Sequence, residues 1–355
     1  MSGLDEMTIV KALKQVAYPG FSRDIVSFGL VRDIALEDAV VRVQLALTTA
    51  NSELPQQLKT AAETALMAIP EIEQATVAVT VTQPTAGAGS SAAQSKQSLA
   101  GVRHCIAIAS GKGGVGKSTL AVNLACSLQK QLAEQGRPNA VGILDCDIYG
   151  PSVPLMLGVC DQPSIANGKL QPLQSFGISV MSMGVLIDED APVVWRGPMV
   201  TKAILQFIND VAWDGIEILV VDLPPGTGDA HLTLTQTLAL DGAIVVTTPQ
   251  AAAVQVAQRG ARMFAKVDVP ILGVVENMSF LEDAQSGERQ YLFGQGGGQQ
   301  AADVLEAPLI AQIPLDPKIR SGGDAGRPVV MDEPDGASAQ VFAQLASKVV
   351  DILDA

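Results

Sequence analysis

Residues 111–118 read GKGGVGKS and stand between an apolar run at 105–109 and a segment of helical spacing that opens at Lys117. The string fits the template G-x-x-x-x-G-K-[ST]. No other feature of the chain restricts the fold as much. Glycines at 111, 113, 114 and 116 let backbone N–H groups converge without Cβ clashes, which makes an anion-binding nest at a helix N-terminus. Such a loop is costly as a mere turn, because glycine loses more conformational freedom on folding than any other residue. Strand, loop and helix in this order belong to a parallel sheet whose ligands sit at the carboxyl ends of the strands. The backbone of Gly111, Lys112, Gly113, Gly114, Val115 and Gly116 would cradle a phosphate chain. Lys117 would meet the β- and γ-phosphates, the Ser118 hydroxyl would bind Mg2+, and Thr119 would reach the α-phosphate.

The surrounding chain agrees with that layout. Residues 140–144, 216–221, 242–247 and 271–275 are nearly continuous apolar runs, as expected of strands buried on both faces of a parallel sheet. Helical segments fall between them, at 200–211 and 254–265. The expected fold class is α/β: a doubly wound, mostly parallel sheet of the P-loop NTPase type over 102–355, preceded by a small α+β domain over 1–82. In the small domain, Ile9, Leu13 and Val16 share a helical face in 8–16. A strand follows at 26–34, and Val41, Val43, Leu45 and Leu47 alternate on a second. Pro55 opens a helix carrying Leu58, Ala62, Leu66 and Ile69, and Val77, Val79 and Val81 mark a third strand. Residues 83–101 hold one charge, Lys96, and no periodicity, and read as a flexible linker.

Two acidic sites follow the loop. In ILDCDIYGP (143–151), Asp145 and Asp147 emerge where an apolar strand ends, so that one carboxylate can orient an attacking water and the other can organise the loop or metal shell. In LVVDLPPGTGD (219–229), four apolar residues lead into Asp222, placed to hold Mg2+ through water, and 226–228 forms a loop able to sense a γ-phosphate. Glu276-Asn277-Met278 follows a strand, and IPLDP (313–317) can offer backbone contacts to a base. Plain capping and turn roles explain these last two segments equally well.

Composition narrows the partners. The chain of 355 residues has 23 basic and 37 acidic side chains, a formal charge of −14, which is unsuited to nucleic acid or an anionic membrane. No apolar run approaches the ~18 residues of a spanning helix, and MSGLDEMTIV lacks the pattern of a secretory signal. Four cysteines make no disulfide framework, so a cytoplasmic setting is expected.

Lys112 inside the loop makes the form KGGxGK[ST], which resembles the deviant Walker A group that includes MinD, ParA and the nitrogenase iron protein. The strings SGKGGVGKST, DCDIYGPS, VVWRGPMV, DLPPGTGD, ENMSF, LFGQGGG and IPLDPKIRSGGDAGRPVV together resemble the Mrp/ApbC family of iron–sulfur cluster carrier ATPases. DIVSFGLV (24–31) is similar to the small iron–sulfur assembly domain that precedes the ATPase in many such chains. The resemblance implies ATP binding, slow hydrolysis and a nucleotide-sandwich homodimer in which Lys112 reaches the partner's phosphates. It also implies that Asn277 hydrogen-bonds the adenine, and that a [4Fe–4S] cluster is passed to apo client proteins with the help of assembly factors.

The chain departs from that family in its cysteines. The C-x-x-C pair usual after ENMS is missing from ENMSFLEDAQSGERQYLFGQGGG, and NSELP (51–55) has no cysteine either. Two thiolates from each of two protomers would be needed to bridge a cluster, so its ligands are unassigned. Cys105 and Cys126 read as small core residues. Cys146 and Cys160 are the pair with more scope for exposure, without metal-ligand spacing. His104 and His231 have no ligand partner in sequence, and Asp188, Glu189 and Asp190 read as a solvated loop. Three further readings compete. The first is a MinD/ParA-like positioning ATPase, disfavoured because the segment 339–353 has one basic residue, Lys348. The second is a partner-binding module gated by nucleotide. The third is a reductase, disfavoured because 228–236 lacks cysteine.

Overall fold

The computed structural model describes residues 6–16, 25–26, 30–37, 39–48, 54–82, 96, 98–147, 150–186, 210–226, 229–250, 264, 267–283 and 285–354. The chain divides into two compact units, Met1–Ala93 and Gln94–Ala355. Most of 83–101, nearly all of the helical segments expected at 200–211 and 254–265, the acidic run 188–190 and residues 227–228 lie outside the described residues.

In the first unit, α1 (Glu6–Leu13), β1 (Val31–Glu37), β2 (Val40–Thr48), α2 (Leu54–Met67) and β3 (Gln74–Thr82) follow in that order. β2 is central, antiparallel to β1 and parallel to β3. Leu58, Ala62 and Leu66, four residues apart, form one buried stripe on α2 against Val41, Val43, Leu45 and Val77 of the sheet. The first strand starts later than its apolar residues suggest. The amide of Leu30 bonds the Ile25 carbonyl, so Val26 sits in a turn rather than in a ladder. The first helix also ends early, at Leu13, because the amides of Gln15 and Val16 bond carbonyls three residues back.

The second unit is built on an eight-stranded sheet. Its elements are β4 (Val102–Ser110), α3 (Lys117–Glu134), β5 (Val141–Asp145), α4 (Val153–Met156), two two-residue strands β6 (Ile165–Ala166) and β7 (Lys169–Leu170), β8 (Leu173–Ser175), β9 (Ile178–Ser182), β10 (Ile216–Asp222), α5 (Asp229–Thr237), β11 (Gly242–Thr247) and β12 (Ile271–Glu276). There follow the hairpin strands β13 (Leu281–Glu282) and β14 (Arg289–Gln290), then α6 (Gly297–Val304), β15 (Leu309–Gln312), α7 (Pro317–Asp324), α8 (Val329–Asp332) and α9 (Ala337–Leu353). Strand order is β15-β12-β11-β4-β10-β5-β9-β8. Every neighbouring pair is parallel except β8 with β9 at one edge.

Alternation along each strand feeds two separate apolar layers. Ile106 and Ile108 face Leu120, Leu124 and Leu128 of α3 and Phe342, Leu345 and Val349 of α9. Cys105, Ala107 and Ala109 face the other way, toward a layer with Trp213, Leu234, Leu238 and Phe264. α9 is thus a core helix, with its apolar face spent on the sheet side. No helix among the described residues is long and apolar enough to cross a membrane.

The crossovers run to both sides of β4, so the order of the sheet reverses there and opens a crevice at the strand ends. Ser110, Asp145, Asp222, Thr247 and Glu276 each end their strands. Asp222 lies in register with both Ile108 and Asp145. Five polar residues therefore gather at one rim of an otherwise apolar sheet.

Candidate functional site

The loop after β4 takes the shape its glycines permit. Gly114 and Gly116 have φ of +77° and +82°, left-handed values that a side chain would strain. A Cβ added at Gly113 or Gly114 would meet no protein atom within 4 Å, so the loop backbone borders an open hollow. Gly116 is also the N-cap of α3, and no side chain caps that helix end. Its first amides are left for a ligand. The cleft here holds about 200 Å3 and is lined by Ser110, Lys117, Ser118, Thr119 and Asp147 with the loop glycines.

Lys117, Ser118 and Asp222 close on one another. The Lys117 ammonium lies 2.5 Å from Asp222 Oδ1 and 3.3 Å from the Ser118 hydroxyl, which itself donates to Asp222 Oδ2 at 2.5 Å. Asp222 is fully buried and Lys117 is 6% exposed. Burial pushes the Asp222 carboxyl up from the usual carboxylate range, while the charge and hydrogen bond of Lys117 and the hydroxyl of Ser118 pull it down. A hydroxyl and a carboxylate side by side are hard oxygen donors suited to Mg2+.

The two aspartates after β5 separate in role. Asp145, read above as emerging beside the phosphates, is wholly enclosed. Its carboxylate accepts from the Asp147 amide at 3.0 Å, the Ser182 hydroxyl at 3.0 Å and the Val153 amide at 3.4 Å. It therefore ties β5, β9 and α4 together. Burial, and next the Asp222 charge, raise its carboxyl to about 7. Asp147 is half-buried and lines the cleft, and its Oδ1 accepts from the Gly150 amide at 3.3 Å. Cys146 between them is not exposed: its amide bonds the Asp222 carbonyl, its side chain is 2% exposed, and burial pushes the thiol well up.

A second cleft of about 200 Å3 adjoins the first, sharing Gly116, Thr119 and Met156 with it. Its other walls include Asn277, Leu315, Asp316 and Arg320, so both segments expected near a base do line one hollow. Asn277 donates from Nδ2 to the Val115 carbonyl at 2.8 Å. Asp316 caps α7 by accepting from the Lys318 amide, and its other oxygen accepts from Ser338. The stretch Pro314–Asp316 also borders a further hollow of about 350 Å3, lined on its far side by Phe280, Leu281 and Arg289 of the hairpin region and by Val341. Lys112 stands apart from these clefts, with its ammonium 3.1 Å from Gln250 Oε1 of the same chain.

Sequence reasoning passed over Glu276. It is 1% exposed and accepts from the Ser279 hydroxyl, the Gly298 amide and Gln312 Nε2, which joins β12, β15 and the start of α6. The sole signal was its position at a strand end before Asn277. His231, which has no ligand partner in sequence, lies in the core. It is 2% exposed, meets Phe264 edge-on, and burial lowers its imidazole to about 4, so it is neutral at pH 7. His104 lies 3.6 Å from Asp241, whose other oxygen accepts from the Cys105 amide.

The hairpin of β13 and β14 occupies the region where a C-x-x-C pair is absent. Arg289 pairs with Glu282 at 2.9 Å and stacks 4.0 Å over Phe280. Of the four cysteines, Cys105, Cys126 and Cys146 are buried and Cys160 is exposed. Among the described residues no three His, Cys, Asp or Glu side chains are grouped to hold a metal ion.

A doubly wound sheet carrying a glycine-rich loop at a helix N-terminus and a buried lysine–aspartate pair beside it defines a P-loop NTPase. The chain belongs to the family described as NUBPL iron-transfer P-loop NTPase, whose model matches residues 101–350; residues 6–79 match the model of an iron–sulfur cluster assembly protein. It is 42% identical over 347 residues to an iron–sulfur cluster carrier protein of Synechocystis, covering 96% of each chain. It is 44% identical over 253 residues to the iron–sulfur cluster transfer protein NUBPL of Mus musculus, covering 71% of this chain and 78% of that one. Among solved structures, a nucleotide-binding protein from Archaeoglobus fulgidus in complex with ADP matches 69% of this chain and 93% of its own at 36% identity, with a TM-score of 0.57. The cell division ATPase MinD of Pyrococcus furiosus matches 70% and 99% at 26% identity, with a TM-score of 0.52.

Proposed function

We propose that this chain binds ATP with Mg2+ in the joined clefts, hydrolyses it slowly, and works as a homodimer that passes iron–sulfur clusters to apo client proteins. The observation that carries this reading is the contact of Lys117, Ser118 and Asp222 beside an open glycine hollow. Lys117 would hold the β- and γ-phosphates and Thr119 the α-phosphate. Ser118 and, through water, Asp222 would hold Mg2+, which supplies charge neutralisation along the phosphate chain. Asp147, at the cleft wall, would orient the attacking water. Lys112, which points to Gln250 rather than into its own cleft, is free in direction to serve the phosphates of a second copy. Asn277 and the Pro314–Asp316 stretch border the space for the adenine.

The cluster is cargo. A family of iron-transfer NTPases and relatives named as carriers support that reading for this chain. The ligands are not a C-x-x-C pair after Asn277, since residues 278–296 have no cysteine. The domain plan that fits is an assembly-type domain over 1–82 that engages partners, a linker over 83–101 and the ATPase over 102–355, acting in the cytoplasm without nucleic acid or membrane. Anaerobic reconstitution with iron and sulfide, followed by visible absorption and iron counting, tests the cargo. Retained iron, and transfer that restores an apo-enzyme, are expected. The missing cysteines favour one other reading, a nucleotide-switched partner-binding ATPase in the manner of MinD. ATP binding with no retained iron and no transfer would defeat the carrier reading while leaving the ATPase.

A further inference from the structure

Asn277 touches the phosphate loop itself. Its Nδ2 donates to the Val115 carbonyl at 2.8 Å, and a Cβ on Gly116 would fall 2.1 Å from that same nitrogen. The contact is buried, and Asn277 is held from behind by its own amide, which bonds the Thr247 carbonyl at 2.9 Å. The backbone is shaped around it on both sides. Gly116 has φ of +82°, and Met278, a residue with a side chain, has φ of +54°, a conformation that side chains rarely adopt. The Met278 Cε lies 3.9 Å from where that same Cβ would stand.

We infer that Asn277 is a positioning residue for the phosphate loop. A peptide unit is planar and trans, so a carbonyl and the N–H that follows it point in opposite directions. Holding the Val115 carbonyl on Asn277 aims the Gly116 N–H away from Asn277, where an anion in the hollow can accept it. A carboxamide donor also fixes the carbonyl without adding charge beside the phosphates. The residue therefore acts on the phosphate end of the ligand, whatever it does for the base. This deepens the reading above and rests on the hollow being a phosphate site.

Inorganic tripolyphosphate with Mg2+ is the discriminating probe, because it has phosphates and no base. Its affinity for the full chain is measured by calorimetry for the wild type, Asn277→Ala and Asn277→Asp, together with ATP and GTP affinities and the melting temperature. Loss of one buried hydrogen bond that orders the loop predicts about tenfold weaker tripolyphosphate binding for Asn277→Ala. Asn277→Asp keeps the shape but faces a carboxylate to the carbonyl, and should lose at least as much. That loss of tripolyphosphate affinity supports the inference whether or not the ratio of ATP to GTP affinity also moves. Unchanged tripolyphosphate affinity with a collapsed ATP-to-GTP ratio would overturn the inference and leave Asn277 a reader of the base. If Asn277→Ala melts too low to assay, the isosteric Asp variant decides. Failure of the wild type to bind either ATP or tripolyphosphate would instead defeat the underlying nucleotide reading.

Discussion

Truncating Lys117 to alanine should destabilise the nucleotide-free protein as well as weaken ATP binding. Asp222 has no exposed surface, one oxygen on the Lys117 ammonium at 2.5 Å and the other on Ser118. Removing the cation leaves a buried carboxylate with a single hydroxyl donor. Breaking a buried pair from one side costs about 3–5 kcal/mol. The Lys117 side borders an open cleft, so water can reach the vacated space, and the lower end, about 3 kcal/mol, is the expectation. For a unit of this size, 1 kcal/mol moves the melting temperature by about 2–4 °C, so a fall of roughly 6–12 °C is expected. Both tryptophans, Trp195 and Trp213, belong to the second unit, and the second is buried, so their fluorescence reports that unit's unfolding alone. The control is the double variant with Asp222→Asn, which removes the stranded charge. It should recover at least half of the loss, a coupling of about 1.5 kcal/mol or more. A Lys117→Ala protein within about 1 kcal/mol of the wild type, or strictly additive variants, would refute the argument that this pair neutralises the rim of the sheet.

Three other outcomes follow from the same structure. His231 titrates near 4 when folded and near 6.5 when unfolded, so the folded state binds fewer protons between those values and stability falls as pH drops through them. The loss is roughly 3 kcal/mol at pH 4 relative to neutral pH. His231→Leu should escape it, which urea titrations of both proteins from pH 4 to 7 would reveal. Asp145, raised to about 7, contributes with the opposite sign but equally to both proteins, so it cancels in the difference. Glu276→Gln keeps the shape but turns one of three acceptor contacts into a clash of donors at Ser279, Gly298 or Gln312. A cost of about 2 kcal/mol is expected in tryptophan-monitored unfolding, and a neutral result would show that the network is dispensable. In the native protein one thiol, Cys160, should react quickly with a thiol reagent, and the other three only after denaturation. Rapid labelling of Cys146 peptides would contradict the closed packing after β5.

Much of this was readable from local pattern. A strand buried on both faces must be apolar at every position, so β4, β5, β10, β11 and β12 stood out as short runs. The glycine pattern likewise announced the loop. Strands at or next to the sheet edges gave no such signal. β15 (LIAQ) has a partly exposed face, and β9 (ISVMS) carries two serines, one of which serves Asp145. The separation of Asp145 from Asp147 was hidden for a related reason. Both follow the same strand, and which carboxylate turns inward depends on the Val153 amide and on Ser182, which belongs to a different strand of the sheet. Asn277 was picked for its place after a strand, yet its contact, the Val115 carbonyl, lies 162 residues away. Cys146 is buried where its place after a strand suggests exposure, because burial at a strand end depends on what is laid over it.

The hairpin segment is fastened to the wall of the second cleft. The Ser279 amide bonds the Ile313 carbonyl at 2.9 Å, and the Leu315 amide bonds the Phe280 carbonyl at 2.7 Å. Insertions or deletions next to Phe280 would therefore be transmitted straight into Pro314–Asp316, the wall shared by the two hollows on either side of it.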